Sequence, residues 1–587
     1  MALTLPQANG LASEFDPSTY VGTLVGGSTS REFRLAVAHE EIREQDIIAV
    51  DATLRRPGSE ETEEIRVWAK VQEIERLNPL FPIESAQELA ATRTNPLDTV
   101  LSLSREMVTA VCQVLGFEPI GGEGKGGKLG QLRYPPQPAT SAYRPSSDDI
   151  KRIVVGSLGR EEALDVATLA NRSDVDVSIN GHAVVTRHLA ILAMTGAGKS
   201  WAARRIIEEL AKKSYPVVIF DPHGDYARLA ELLPHQVKSY YAHLPVFEED
   251  DDTIAKIIGS LGYALSPTME GLLPAVIGAT KTVLADDQPA EMQAFITARV
   301  GGLGTGKLEP NLWLLANVAE VAEVAIRAKA EDDKRFIEER CGDGFSRLTA
   351  RDAGTLEAIK KRCRKAAAAL ARMENINKTI ARRGALELPT DRTALVDYGQ
   401  ITVVALAGYS GEFQATIYEL IARDIFDARV RGDLKYPVLL LLEEAHNFVP
   451  GKALVPAEER SVATTRQIAQ EGRKFGVGLV IISQRPSRLD ETTLSQCNSY
   501  LIMRLANPAD QNFVRRVIET LGEYEANLLP DLDVGEALLS GQFTNFPILV
   551  RMKPPVSKGE REEESAFAVL QRVHHEVTGQ RPRPNGI

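Results

Sequence analysis

The sequence predicts an α/β protein: a parallel-rich sheet with flanking helices, a small β-barrel before it, and an all-helical insertion inside it. Three observations carry this. An apolar run at Leu189–Ala193 has the length of a buried strand, breaks into a glycine turn, and opens a helix with Ala203, Ile206, Ile207 and Leu210 on one face. Further apolar runs of strand length follow at Val217–Phe220, Ile401–Ala407, Pro437–Leu442 and Val477–Ile482. Residues 15–75 carry short alternating strands, whereas 250–385 are Ala-rich with helical spacing and little strand signal.

In chain order, Phe33, Leu35 and Val37 alternate with polar or small residues, as do Ile65, Val67, Ala69 and Val71, and Ile47–Val50 adds a third strand. Short strands at this spacing predict the barrel. A helical patch is expected around Leu97–Val114. The glycine tract 121–130 and the Pro-rich stretch after it read as a linker, since no strand precedes the glycines and no helix follows. Short strands are expected at Ile153–Val155 and Val175–Ile179. Strand, crossover helix and strand between Leu189 and Phe220 form one βαβ unit, which requires parallel pairing. The insertion helices place Leu312, Leu315, Val318 and Ala322, then Leu356, Ile359, Cys363, Leu370 and Met373, at core spacing. Its last helix carries Lys360, Lys361, Arg362, Arg364, Lys365 and Arg372, which read as a solvated face, with DNA contact as the alternative. Gly301–Lys307 resembles a phosphate loop but lacks the hydroxyl residue and the strand. The expected domains are 1–145 (barrel and linker), 146–248 (first part of the core), 249–390 (helical bundle), 391–550 (second part of the core) and 551–587 (tail).

Across 587 residues the net charge is −12, with 44% hydrophobic and 25% charged residues. That is the composition of a globular protein, and it excludes whole-molecule attraction to nucleic acid or anionic membrane. Any nucleic-acid surface must therefore be local. The four cysteines are scattered with no CxxC pair, which fits reduced thiols. No apolar run reaches the ~20 residues of a membrane helix. With no signal peptide evident at the N-terminus, a cytoplasmic location is expected.

The chemistry begins in Thr195-Gly196-Ala197-Gly198-Lys199-Ser200, followed by Trp201. A strand, a glycine turn and a helix start aim backbone N–H groups and the helix dipole at one anion. Lys199 is expected on the β- and γ-phosphates of ATP, and Ser200 on Mg²⁺. Ala193 stands where the common pattern has glycine, a small cost if its φ is negative. In a parallel sheet, ligands bind beyond the carboxyl ends of strands. Val438–Leu442 ends in Glu443 and Glu444, Val477–Ile482 leads to Gln484, and Val217–Phe220 ends in Asp221. Phosphoryl transfer to water needs a metal and a group that polarises the water. Glu443 is expected on Mg²⁺, Glu444 at the water on the opposite pleat face, Gln484 at the γ-phosphate, and Asp221 in the nucleotide-binding set. His446 and Asn447 can orient the base or serve the fold. Leaving-group charge is commonly met by an arginine from a neighbouring subunit, and Arg473, Arg466 and Arg187 are the candidates.

These segments together resemble the HerA family of the FtsK–HerA ring translocases. The resemblance rests on Arg187-His188 through Ser200, Asp221-Pro-His-Gly-Asp225, Glu443-Glu-Ala-His446, Glu471-Gly-Arg-Lys-Phe-Gly-Val-Gly478 leading to Ser483-Gln-Arg-Pro-Ser487, and Ser495-Gln-Cys-Asn498, in order across the core. It implies a RecA-like P-loop core behind a HAS barrel and a homo-hexamer that threads duplex DNA through its channel at the expense of ATP and Mg²⁺. It also implies a NurA-like nuclease or another effector as partner, in DNA end processing or anti-phage defence. Two other readings share this core: a pumping ATPase of conjugation or secretion type, and a nucleotide-gated scaffold that assembles an effector.

Overall fold

The computed structural model describes residues 18–37, 42–55, 62–77, 107–120, 129–156, 158–226, 229–243, 246–285, 289–300, 310–328, 331–341 and 348–556, with 91, 570, 572 and 573. They form two compact units. The first comprises Met1–Lys213, Glu444–Leu454 and Val462–Lys553, the second Ser214–Glu443, Val455–Ser461 and Pro554–Ile587. The peptide bond between Glu443 and Glu444 is one crossing point of the chain.

The first unit begins with six strands, β1 (Tyr20–Val25), β2 (Glu32–Val37), β3 (Ile47–Arg55), β4 (Thr62–Leu77), β5 (Met107–Pro119) and β6 (Ser141–Tyr143), closed into a barrel in the order β1-β2-β5-β4-β3-β6. Alternate residues fill its interior, among them Val21, Phe33, Leu35, Val50, Ile65, Val67, Ala110 and Cys112. Two expectations fail here. From Met107 onward the expected helical patch is strand, while 97–106 lie outside the described residues. The sequence MVTAVCQVLGF spaces its valines at helical intervals, yet it pairs with β2 on one side and β4 on the other. Irregularities at Trp68/Ala69 and Val71/Glu73 shift its register against β4 and hide the period of two. The Pro-rich stretch read as linker supplies β6, whose three residues bridge β1 and β3 and remove the last open edge. Lys70 on β4 is buried and donates to Glu525 at 2.7 Å and to the Pro547 carbonyl at 3.3 Å, fastening the barrel within the unit. Arg152 makes two hydrogen bonds to Glu118 at 2.6 and 2.8 Å from the helix Ser147–Val155. That helix replaces the strand expected at Ile153–Val155. Ser146 caps it and Asp148 and Asp149 fill its first turn, signals that outweigh the β-branched run at its end. Strands β7 (Ala163–Leu169), β8 (Asp176–Asn180) and β9 (Leu189–Leu192) follow.

The second unit is built on a wholly parallel sheet of β10 (Val217–Asp221), β11 (Val237–Tyr241), β12 (Leu386–Glu387), β13 (Ile401–Ala405) and β14 (Val438–Leu442), ordered β12-β11-β13-β10-β14. Between β11 and β12 the described residues form helices joined by turns, with no strand among them, as expected. Leu312, Leu315, Val318 and Ala322 are buried, as are Leu356, Ile359, Cys363 and Met373 of the long helix Ala353–Ala381, whereas Leu370 is half-buried. The basic face of that helix is occupied internally. Lys360 meets Glu323 at 2.8 Å and Glu320 at 3.3 Å, Lys361 meets Glu357 at 2.8 Å, Arg364 pairs with Glu320, and Lys365 lies over the Tyr263 ring. The Gly301–Lys307 segment lies outside the described residues, as does most of the glycine tract.

Returning to the first unit, β15 (Val477–Ser483), β9 and β16 (Ser499–Ile502) run parallel. Strands β17 (Glu536–Gly541) and β18 (Ile548–Met552) continue the sheet from β16 to β7 and β8, each neighbouring pair antiparallel. Parallel pairing thus surrounds the phosphate-loop strand, and the antiparallel part lies beyond it. Gly472 lets the helix Pro456–Phe475 turn into β15: a Cβ there would stand 2.4 Å from the Val477 carbonyl oxygen.

Candidate nucleotide site

Strand β9 is entirely buried, and the N–H groups of Ala193 and Met194 bond the carbonyls of Ser483 (3.2 Å) and Arg504 (2.9 Å), fixing where the loop leaves the sheet. Ala193 is not among the positive-φ residues, so the missing glycine costs no strain. Gly196 (φ 80°) and Gly198 (φ 104°) do sit in the left-handed region that favours glycine. The helix Lys199–Lys212 starts at Gly198 with no side chain capping its first turn, so its N–H groups point at whatever occupies the loop. Lys199 is 6% exposed and donates to Glu444 Oε1 at 2.5 Å. Ser200 is half-buried, Ala197 buried, and Trp201 exposed on the flank.

Glu444 does not continue the pleat of β14, contrary to the alternation expected for the Glu443-Glu444 pair. Its backbone turns left-handed (φ 47°, ψ 54°) into the 3₁₀ turn Ala445–Asn447, and that turn aims its carboxylate at Lys199. Non-glycine residues held there store about 1–3 kcal/mol and concentrate at functional sites. His446 Nδ1 lies 3.4 Å from Glu444 Oε2. Gln484, one residue past β15, accepts a hydrogen bond from the Thr195 hydroxyl, and Ser483 registers with Leu192, so the neighbouring strand ends place loop and glutamine side by side. Uncapped N–H groups, a buried ammonium, a hydroxyl and a buried carboxylate make a donor set that fits a phosphate chain carrying a divalent cation.

In the second unit, the Asp221 carboxylate is taken up by its own loop. It accepts the N–H groups of His223, Gly224, Asp225 and Tyr226 at 2.8–3.3 Å. Burial pushes its carboxyl pKa upward. Gly224 (φ 86°) allows the tight turn, and Tyr226, fully buried, donates its hydroxyl to Glu443 Oε2 at 2.9 Å. Sequence reasoning missed Tyr226. It stands in Asp221-Pro-His-Gly-Asp-Tyr226, where attention went to the carboxylates alone.

A family model described as "Helicase HerA, central domain" matches residues 164–425. Residues 164–425 are thus similar to the HerA central domain. Among curated proteins, a "probable helicase" of Methanocaldococcus jannaschii is 28% identical over 552 residues, spanning 91% of this chain and 96% of that one. The "DNA double-strand break repair helicase HerA" of Pyrococcus furiosus is 29% identical over 471 residues, 76% of this chain and 78% of that one. Among solved structures, VirB4 of Thermoanaerobacter pseudethanolicus shares 15% identity at a TM-score of 0.43, covering 68% of this chain and 98% of that one.

The HerA match reaches Lys199, Asp221 and Tyr226 but stops short of Glu443, Glu444, Gln484 and two of the three candidate arginines. Arg466 makes two hydrogen bonds to buried Asp490, at 2.6 and 3.0 Å. Arg473 is exposed near the end of the helix Pro456–Phe475, and Arg187 is half-buried just before β9. Arg466 and Arg473 are both exposed, but the Arg466 guanidinium is engaged by Asp490.

Next to Arg187, His188 does structural work. It adopts φ 56°, accepts the Leu479 N–H on Nδ1 and donates from Nε2 to the Ala469 carbonyl, both at 3.0 Å. Burial pushes its pKa down to about 4 from 6.5. A histidine depressed in the folded state gives stability that is complete above its unfolded pKa and is lost as pH falls toward the folded one. We expect this group to remove about 3 kcal/mol between pH 7 and 4. Urea unfolding across that range measures it: His188→Gln should flatten the acid slope, and equal slopes would contradict the assignment.

Proposed function

We propose that this chain is a homo-hexameric ring ATPase of the cytoplasm that moves along duplex DNA. In this reading a NurA-like nuclease or another effector works with it, in DNA end processing or anti-phage defence. The chain is an ATP-hydrolysing enzyme of the translocase–helicase type. The observation that carries the reading is the buried Lys199–Glu444 pair at the mouth of an uncapped helix. The names of the relatives support DNA as the track.

Thr195 to Trp201 bind ATP: backbone N–H groups and the helix start hold the phosphates, and Lys199 exchanges Glu444 for phosphate oxygens. That exchange releases Glu444 to take the proton of the attacking water. Ser200 would contact Mg²⁺ and Glu443 would face a water of its shell, and the cation would supply neutralisation of phosphate charge. Gln484 responds to the γ-phosphate through its link to Thr195. Asp221 shapes the neighbouring loop, and Arg473, ahead of Arg466 and Arg187, stabilises the transition state from the adjacent subunit. With a net charge of −12, the grip on DNA is confined to axial loops that read phosphates rather than bases.

The test is steady-state ATP hydrolysis with and without blunt duplex DNA, beside the native mass. Several-fold stimulation by duplex in a hexamer is expected. DNA-indifferent hydrolysis by a monomer would overturn translocation.

A further inference from the structure

The phenol beneath Glu443 needs an explanation of its own. Tyr226 has no exposed surface, and a phenylalanine would fill the same apolar volume. Its hydroxyl nevertheless ends 2.9 Å from Glu443 Oε2, and Glu443 is itself fully buried. The backbone at both ends of this link is pinned. The Tyr226 N–H donates to Asp221 Oδ2 at 3.0 Å, and the Glu443 N–H donates to the Phe220 carbonyl at 3.2 Å, continuing the β10–β14 ladder. Asp221 gathers three further N–H groups of the loop that carries Tyr226. Asp221, the loop, the phenol and the carboxylate therefore form one chain of hydrogen bonds within the second unit.

A glutamate side chain has three rotatable bonds, and one that holds a cation must be stopped in a single rotamer while staying ionised. A rigid, buried hydroxyl serves both ends, because its hydrogen bond is stronger to the charged carboxylate and it cannot swing away.

We propose that Tyr226 is a positioning residue that fixes Glu443 for the divalent cation, with Asp221 serving as the anchor of the loop that delivers it. This rests on the reading of Glu443 as the metal-side carboxylate. Its consequence is specific: loss of the hydroxyl weakens the cation more than the nucleotide.

The experiment uses the full chain and Mn²⁺ as probe, with affinity read by electron paramagnetic resonance in the presence of ADP, alongside the KM for ATP and the melting temperature. Tyr226→Phe should weaken Mn²⁺ about tenfold, the scale of lost outer-shell partners, and leave the KM for ATP at saturating Mg²⁺ within about twofold. Asp221→Asn, which loosens the loop without touching Glu443, should shift Mn²⁺ in the same direction and serves if Tyr226→Phe folds poorly. In a Glu443→Gln background, Tyr226→Phe should add less than about twofold. Wild-type Mn²⁺ affinity in Tyr226→Phe, whether or not its melting temperature falls, would overturn the proposal. Wild-type affinity in Glu443→Gln would instead overturn the assignment of Glu443 itself, and the two failures are distinct.

Discussion

Replacing Glu444 by glutamine should lower ATP hydrolysis by about 10²- to 10⁴-fold, the share a general base commonly supplies, while ATP binding persists. The reason lies in how Glu444 is held. Its backbone is left-handed, its side chain is 3% exposed, and its partner is Lys199, which on the proposed reading turns to phosphate when nucleotide arrives. Glutamine keeps the size and still offers Lys199 an oxygen, so folding should change little, but the amide cannot take a proton. Rates under saturating Mg·ATP, beside equilibrium binding of a fluorescent ATP analogue, separate the two effects. A variant that hydrolyses at more than about a tenth of the wild-type rate would remove Glu444 from the chemistry.

Lys199→Ala should fail in binding and stability together. With the ammonium gone, the loop loses its one buried cation for the phosphates, and Glu444 is left buried without its charged partner. Breaking a buried ion pair from one side typically costs about 3–5 kcal/mol. The nucleotide-free variant should therefore melt well below wild type, and added Mg·ATP, which stabilises wild type by mass action, should not raise its melting temperature. Differential scanning calorimetry with and without nucleotide checks both. Unchanged stability without ligand would mean the pair carries no weight in the resting protein, and a normal ligand shift would mean Lys199 is not the phosphate contact.

Much of this was legible in the sequence because the relevant strands are wholly apolar and end abruptly in polar residues. Leu189–Ala193, Pro437–Leu442 and Val477–Ile482 read as interior strands and are found as such, and the polar residues beyond their ends include the proposed Lys199, Glu444 and Gln484. What stayed hidden has physical causes. The strand at Met107 was masked by register irregularities that break its alternation, and β6 is too short to carry a pattern. The aim of Glu444 comes from a single left-handed residue rather than the pleat, and no periodicity encodes that. Asp221 reads as a site carboxylate until its four backbone donors are seen, and Tyr226 reads as an ordinary core aromatic until its hydroxyl finds Glu443.

The most direct test of the hydrolysis site is a single-turnover experiment with radiolabelled ATP on wild type and Glu444→Gln. The variant should hold about one intact ATP per chain while wild type converts it to ADP and phosphate. Phosphate release from the variant at the wild-type rate would contradict the account, and so would a variant that retains no ATP at all.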